Sequence, residues 1–190
     1  MMLLRIAPRR RHGSTRGFTL VEAVVAATVL VIGVLGYVAS VTTGNRLMLQ
    51  NRETRRAYTA AQTVFAEMQS QSIEDVFANY NSTTSDDPAG ATRSPGNRFT
   101  AAGVGVCASG STDGAGAVRF PSKDGTTLRE DIVDAALGMP RDLDGDGVIS
   151  SGPLTKPPLI LPVEVTVKWQ SSGGEREVTV RKFLFGNANS

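Results

Sequence analysis

Three aspartates stand at alternate positions in Asp142-Leu143-Asp144-Gly145-Asp146-Gly147-Val148-Ile149, with a glycine directly after the third. That spacing suits a hard divalent cation. Such an ion takes several oxygen ligands, alternate side chains can turn toward one centre, and glycine permits the sharp bend between them. The aspartates and Gly147 fall on the first, third, fifth and sixth positions of an EF-hand-type calcium loop, the Val148 main chain on the seventh and Ile149 on the hydrophobic eighth. The twelfth position, ordinarily a bidentate glutamate, is Pro153, and no helical pattern brackets the loop. A completing ligand would have to come from Glu130, Asp131, Asp134, Ser150 or a main-chain carbonyl. The sequence thus nominates Asp142, Asp144, Asp146 and Val148 as ligands and calcium as cofactor, with weak to moderate affinity. An acidic turn without metal is the competing reading.

A fourth carboxylate, Glu22, is informative through its isolation. From Phe18 to Thr43 every other residue is apolar or small and uncharged. A run of about 20 apolar residues spans a bilayer as a helix, and a lone carboxylate inside one is costly unless it finds a partner or the interface. Before the run, residues 1–17 carry five arginines (Arg5, Arg9, Arg10, Arg11, Arg16) and no acid. Basic residues before a span hold that end in the cytoplasm, which would place the rest of the chain outside the inner membrane. An ordinary secretory signal has its small-residue cleavage site after the apolar stretch. Here the only such site beside a basic cluster is Gly17, ahead of the stretch, so cutting there would retain it.

Gly17-Phe18-Thr19-Leu20-Val21-Glu22 resembles the class III leader junction of type IV prepilins and type II secretion pseudopilins, with the family's glycine, phenylalanine and fifth-position glutamate on Gly17, Phe18 and Glu22. The resemblance is specific over about Arg16–Thr43 and looser through Tyr80, and it is similar to PilV-like minor pilins and I/J-like pseudopilins. It implies that a prepilin peptidase cuts after Gly17 and methylates the new amine on Phe18. Glu22 would then pair with that amine, on its own chain or a neighbour, during assembly with other pilin or pseudopilin subunits on an inner-membrane platform. Two features depart from major pilins: no proline stands near Ala39, and the C-terminal disulfide is absent, since Cys107 is the only cysteine. Cys107 beside Val104 and Val106 reads as a small buried side chain. Gly33 and Gly36, with Ala39 and Ser40, suit close helix packing in a membrane or simple tolerance there.

Composition narrows the alternatives. The formal charge of +2 includes the five arginines of residues 1–17, so the remainder sums to −3 and nucleic acid is not an expected partner. The single histidine, His12, precedes Gly17, and no Gly-x-Ser-x-Gly or Walker-type string occurs. The expectation is therefore no enzyme. A minor pilin or pseudopilin leads, ahead of a calcium-dependent adhesive tip subunit and a signal-anchored periplasmic enzyme.

The elements that must position these residues are legible in outline. Asn45 to about Tyr80 predicts one amphipathic helix continuing the span, with Leu47, Tyr58, Ala61, Val64, Phe65, Met68, Val76 and Phe77 on its apolar side and Glu53 among the polar positions. Asn81–Ala117 is rich in Ser, Thr, Gly, Asp and Pro and predicts loops, with a short strand within Arg98–Cys107. Ile160–Trp169 alternates after Pro162, Ser171–Gly174 supplies a turn, and Val178 and Val180 lead into Phe183–Phe185, which predicts an antiparallel hairpin. The expected fold class is α+β, a long N-terminal α-helix, half transmembrane and half amphipathic, packed on a small antiparallel sheet head. Its divisions are a leader at 1–17, a transmembrane and assembly helix at 18–43, the amphipathic half at 44–80 and a periplasmic head at 81–190.

Overall fold

A computed structural model describes residues 17–88, 90, 94–105, 113–154 and 156–186. The chain divides into two compact units between Asn45 and Arg46. Arg5, Arg9, Arg10, Arg11, His12, Arg16 and Cys107 lie outside the described residues, as do the expectations attached to them.

Helix α1 runs from Leu20 to Gln69. In the first unit every residue of α1 through Thr43 is exposed. An 18-residue window there has a mean hydropathy of 2.4 and none of it is buried, so the helix is long and apolar enough to cross a membrane. The hydroxyls of Thr28 and Thr42 donate to the carbonyls of Val24 (2.8 Å) and Ala39 (2.9 Å), and Thr43 also donates to Ala39. Those bonds leave the threonine donors satisfied without water, as a hydrocarbon surrounding would demand. A side chain added at Gly33 or Gly36 would meet nothing within 4 Å, so among the described residues neither glycine packs closely against another part of the chain.

In the second unit α1 turns Ala57, Ala61, Val64, Phe65 and Met68 into the core, a stripe at helical spacing. Two expectations fail here: Tyr58 and Leu47 are 51% and 55% exposed. Small Ala57, one position earlier and hence about 100° around the helix, is the residue that faces the sheet. Glu53, expected among solvated positions, is buried, and its Oε2 accepts the indole N–H of Trp169 at 3.1 Å.

The expected single helix to Tyr80 is interrupted. It stops at Gln69, and a separate helix, α2, spans Ile73–Tyr80. Ser70 Oγ donates to the Glu67 carbonyl at 2.7 Å, and Ser72 Oγ accepts the Asp75 amide at 3.1 Å, capping α2. Serine offers the backbone these local bonds in place of helix continuation, and Glu74 and Asp75 favour a helix start.

Four strands form one antiparallel sheet in the order β1-β2-β3-β4: Arg98–Ala101, Gly114–Arg119, Ile160–Ser171 and Gly174–Phe185. β1 lies inside the stretch expected to hold a short strand. Gly114–Ala117, expected as loop, is instead the start of β2. Its glycines and alanines carry little strand propensity, and pairing with β1 and β3 decides the matter. Gly116 leaves room for the Phe99 ring, which lies over it 2.3 Å from where a Cβ would stand.

The β3–β4 hairpin follows the expected alternation, closing with Ser171 opposite Gly174 around Ser172-Gly173. Leu161, Val163, Val165, Val167 and Trp169 of β3 face α1 and are buried. On the opposite face Glu164 is also buried, held by Arg119 Nε at 2.9 Å and Arg181 Nε at 2.6 Å. The segment between β2 and β3 carries a 3₁₀ turn, Ala135–Leu137, and a small second cluster of Leu137, Met139 and Leu143 with Leu154 beside it.

Candidate functional site

The acidic loop hangs between that second cluster and the start of β3. Leu143 is fully buried, and its carbonyl accepts the amides of Leu159 (2.7 Å) and Ile160 (3.1 Å). Alternation therefore sends Leu143 inward and its neighbours Asp142 and Asp144 outward. Positive φ values at Gly145 (76°) and Gly147 (85°) make the two bends that a side chain would strain.

Within the loop each aspartate caps the backbone ahead of it. Asp142 accepts from Gly145 N at 2.6 Å and from Gly147 N at 2.8 Å. Asp144 accepts from Asp146 N at 3.1 Å, and Asp146 from Val148 N at 2.8 Å. The Gly147 amide is the main cause holding the Asp142 carboxyl below the usual aspartate range; desolvation opposes it and Gly145 adds to it.

Beneath the loop lies Glu130, a charged side chain with no exposed surface. One of its oxygens accepts from Leu143 N at 2.8 Å and Asp144 N at 3.4 Å. The other accepts from Ser150 N and Ser150 Oγ, both at 2.8 Å. Burial is the largest influence on this carboxyl and pushes it up. The donors from Ser150, Leu143 and Asp144 together outweigh it, so its pKa lies below the ordinary value. Glu130 thus ties both ends of the acidic loop to one point.

Carboxylate oxygens of Glu130, Asp142 and Asp144 lie within 4.8 Å of one another, an arrangement that could hold a metal ion. Asp146 is not part of that trio, and the Val148 amide serves as donor to Asp146. Of the other candidates for a completing ligand, Asp131 pairs with Arg129 at 2.6 Å. Asp134 accepts from Arg119 at 2.6 Å and caps the 3₁₀ turn. Ser150 points its hydroxyl at Glu130. A set of carboxylate oxygens alone suits calcium or magnesium rather than a soft metal.

At the other candidate site, Gly17 and Phe18 precede α1 and are exposed. Thr19 caps the helix: its Oγ1 accepts the Glu22 amide at 3.2 Å and its carbonyl the Ala23 amide at 3.1 Å. Thr19-x-x-Glu22 has the spacing of a capping box, a signal readable from the sequence and overlooked there. Glu22 therefore occupies the first turn of α1, where the helix dipole favours a carboxylate.

Sequence reasoning placed Glu130 only as one of several spare ligands. Its structural role had no local signal, because the donors that fix it lie 13 to 20 residues away. Comparison with protein-family models, with curated proteins and with solved structures finds no match for this chain.

Proposed function

We propose that this chain is a minor pilin or pseudopilin, a non-enzymatic subunit of a type IV pilus-like filament. The observation that carries the reading is Gly17-Phe18 standing just before the exposed apolar half of α1, whose one carboxylate, Glu22, lies in the first turn. In this reading a prepilin peptidase cuts after Gly17, and the leader end stays in the cytoplasm while the head lies in the periplasm. Other subunits then cover the apolar half of α1 in the filament, beside an inner-membrane assembly platform.

Cleavage would put an ammonium on Phe18, four positions before Glu22 and at the same end of the helix. The charged pair costs little when each finds the other and much when a subunit docks out of register, because two charges then stay unpaired in a low dielectric. Glu22 would thereby set register. His12 ahead of the proposed cut is the only histidine, which speaks for a structural subunit over a histidine-dependent enzyme.

Intact mass of the mature protein tests this reading. The expected product lacks residues 1–17 and carries one added methyl on Phe18; an N-terminus beyond residue 40 would overturn it, since that marks an ordinary secretory signal. Glu22→Val should leave cleavage intact and strongly reduce incorporation into sheared filaments.

A second proposal concerns the head: the loop 142–148 binds calcium, supported by the convergent carboxylate oxygens of Asp142 and Asp144 beside the buried Glu130. Asp146 and the Val148 carbonyl would have to move in to complete the shell. Glu130, already saturated with donors, would serve by fixing the loop more than by ligation.

A further inference from the structure

β4 is the last strand of the sheet, and only β3 borders it. Among the described residues no other element sends a backbone hydrogen bond to it, so its outer edge presents a row of unpaired N–H and C=O groups. Proteins commonly blunt such an edge by keeping it short, bulging it or breaking it with proline. β4 has none of these: it is 12 residues long, contains no proline and pairs with β3 one to one from Gly174 to Phe185. Lys182, a charge of the kind that guards edges, is folded onto α1, with Nζ 2.6 Å from Gln62 and over the Phe65 ring. Burial shows the same opening. Val165 and Val167 of β3 are fully buried, whereas their partners Val180 and Val178 in β4 are only half-buried.

The middle of β4 specifies which strand fits there. Glu177-Val178-Thr179-Val180-Arg181 has opposite charges at its ends and a mirror-symmetric centre. Val178 and Val180 pack toward the core, while Thr179 and Arg181 face Thr166 and Glu164 on the other side of the sheet. Laid antiparallel on itself about Thr179, the segment sets Glu177 opposite Arg181, Val178 opposite Val180 and Thr179 opposite Thr179, with every side chain on its proper face. A slide of one residue would turn the valines to the wrong face. A slide of two would put Glu177 opposite Thr179 or Phe183. Both charges are available: Arg181 holds Glu164 through Nε at 2.6 Å, and the pair of Glu177 with Lys168, 3.4 Å apart and more than half exposed on both sides, is worth little. The like charges that meet beyond this stretch, Arg176 and Lys182, are drawn back to Gln50 and Gln62 of their own α1. We infer that β4 pairs antiparallel with β4 of a second copy, about a two-fold axis at Thr179. Such a contact is self-complementary and closes as a dimer. α1 follows the same direction as β4, with Gln50 at Arg176 and Gln62 at Lys182, so the Arg46 ends of the two heads point opposite ways. The contact therefore suits heads borne on separate membranes or filaments rather than neighbours in one. It goes beyond the filament reading and stands on the head alone.

The full chain in detergent tests it, with Trp169 fluorescence confirming folded heads throughout. In the native protein, deuterium uptake over residues 175–184 should fall as concentration rises, while uptake over β1, at the other edge of the sheet, stays constant. In a Cys107→Ser background, Thr179→Cys should give a dimer with a short thiol-reactive cross-linker, because the two-fold sets the new thiols opposite one another. Glu177→Cys should not, because its two copies stand four residues, about 13 Å, apart along the paired strands. Adding Glu177→Lys to Thr179→Cys should lower the yield about tenfold, since two attractive cross-strand pairs become repulsive. Uptake independent of concentration, no dimer from Thr179→Cys, equal cross-linking from positions 177 and 179, or a yield untouched by Glu177→Lys would each overturn the pairing. Because none of these readouts depends on leader cleavage, their failure is separable from failure of the filament reading.

Discussion

Glutamine at position 130 keeps the length and shape of the side chain and removes only its charge. In the native head that carboxylate accepts four hydrogen bonds, two from Leu143 and Asp144 and two from Ser150. A glutamine oxygen can keep the first pair. Its NH₂ then faces the Ser150 amide, donor against donor, and the Ser150 hydroxyl must rotate to accept. One charge-assisted bond is lost outright, worth about 1.5–3 kcal/mol, and a buried amide left unmatched adds about 1–3 kcal/mol. Relief of the buried charge offsets part of this, so Glu130→Gln should cost about 3 kcal/mol. For a head of this size that corresponds to roughly 10 °C in Tm. The single tryptophan, Trp169, is buried against Glu53 and reports the transition by its fluorescence in the full chain held in detergent. Acidity supplies an independent arm. Because the Glu130 carboxyl titrates lower folded than unfolded, its stabilisation is present above the unfolded value near 4.3 and is lost as pH falls through the folded one. Asp142 acts in the same direction. The glutamine protein should therefore lose less further stability between neutral pH and acid than the native one. A Tm within 2 °C of native, together with an unchanged acid slope, would refute the account of Glu130 as the anchor of the loop.

Calcium binding only the folded head should raise its stability by about 2.7 kcal/mol at a hundredfold excess over Kd, and Asp144→Ala should erase the gain; an unchanged melting curve with no heat of binding would leave loop 142–148 an acidic turn. Gly116→Ala should destabilise the head by about 1–3 kcal/mol in urea titration, because the new methyl displaces the Phe99 ring. Phe99→Leu in the same chain should recover part of that loss, and an alanine protein as stable as native would show the ring to be free to move.

What the sequence made legible divides by the range of the interactions. The β3–β4 hairpin was readable because its alternation and its Ser-Ser-Gly-Gly turn are both local, and the same holds for the apolar half of α1. Tyr58 misled because aromatic bulk suggests burial, whereas the sheet approaches α1 closely enough to prefer Ala57. The break at Ser70–Ser72 had a local signal, Ser72 three residues before Asp75, that lost to the absence of proline. Gly114–Ala117 had none, since its strand character comes from β1 and β3. At the acidic loop the aspartate spacing was plain, while the buried anchor could not be chosen among Glu130, Asp131 and Asp134: one faces inward and the other two face Arg129 and Arg119 only after folding.

The distances along the chain also impose a schedule. Glu53 waits for Trp169, 116 residues later, and Gln62 for Lys182, 120 residues later. At synthesis rates of about 5–20 residues per second, the stretch from Ala57 to Met68 spends roughly 5–20 s without the strands that cover it. Its apolar side is thus the first part of the head to be made and the last to be sheltered. Anything that lengthens that interval, such as slow synthesis of residues 160–185, exposes a ready-made adhesive stripe before the native sheet exists to claim it.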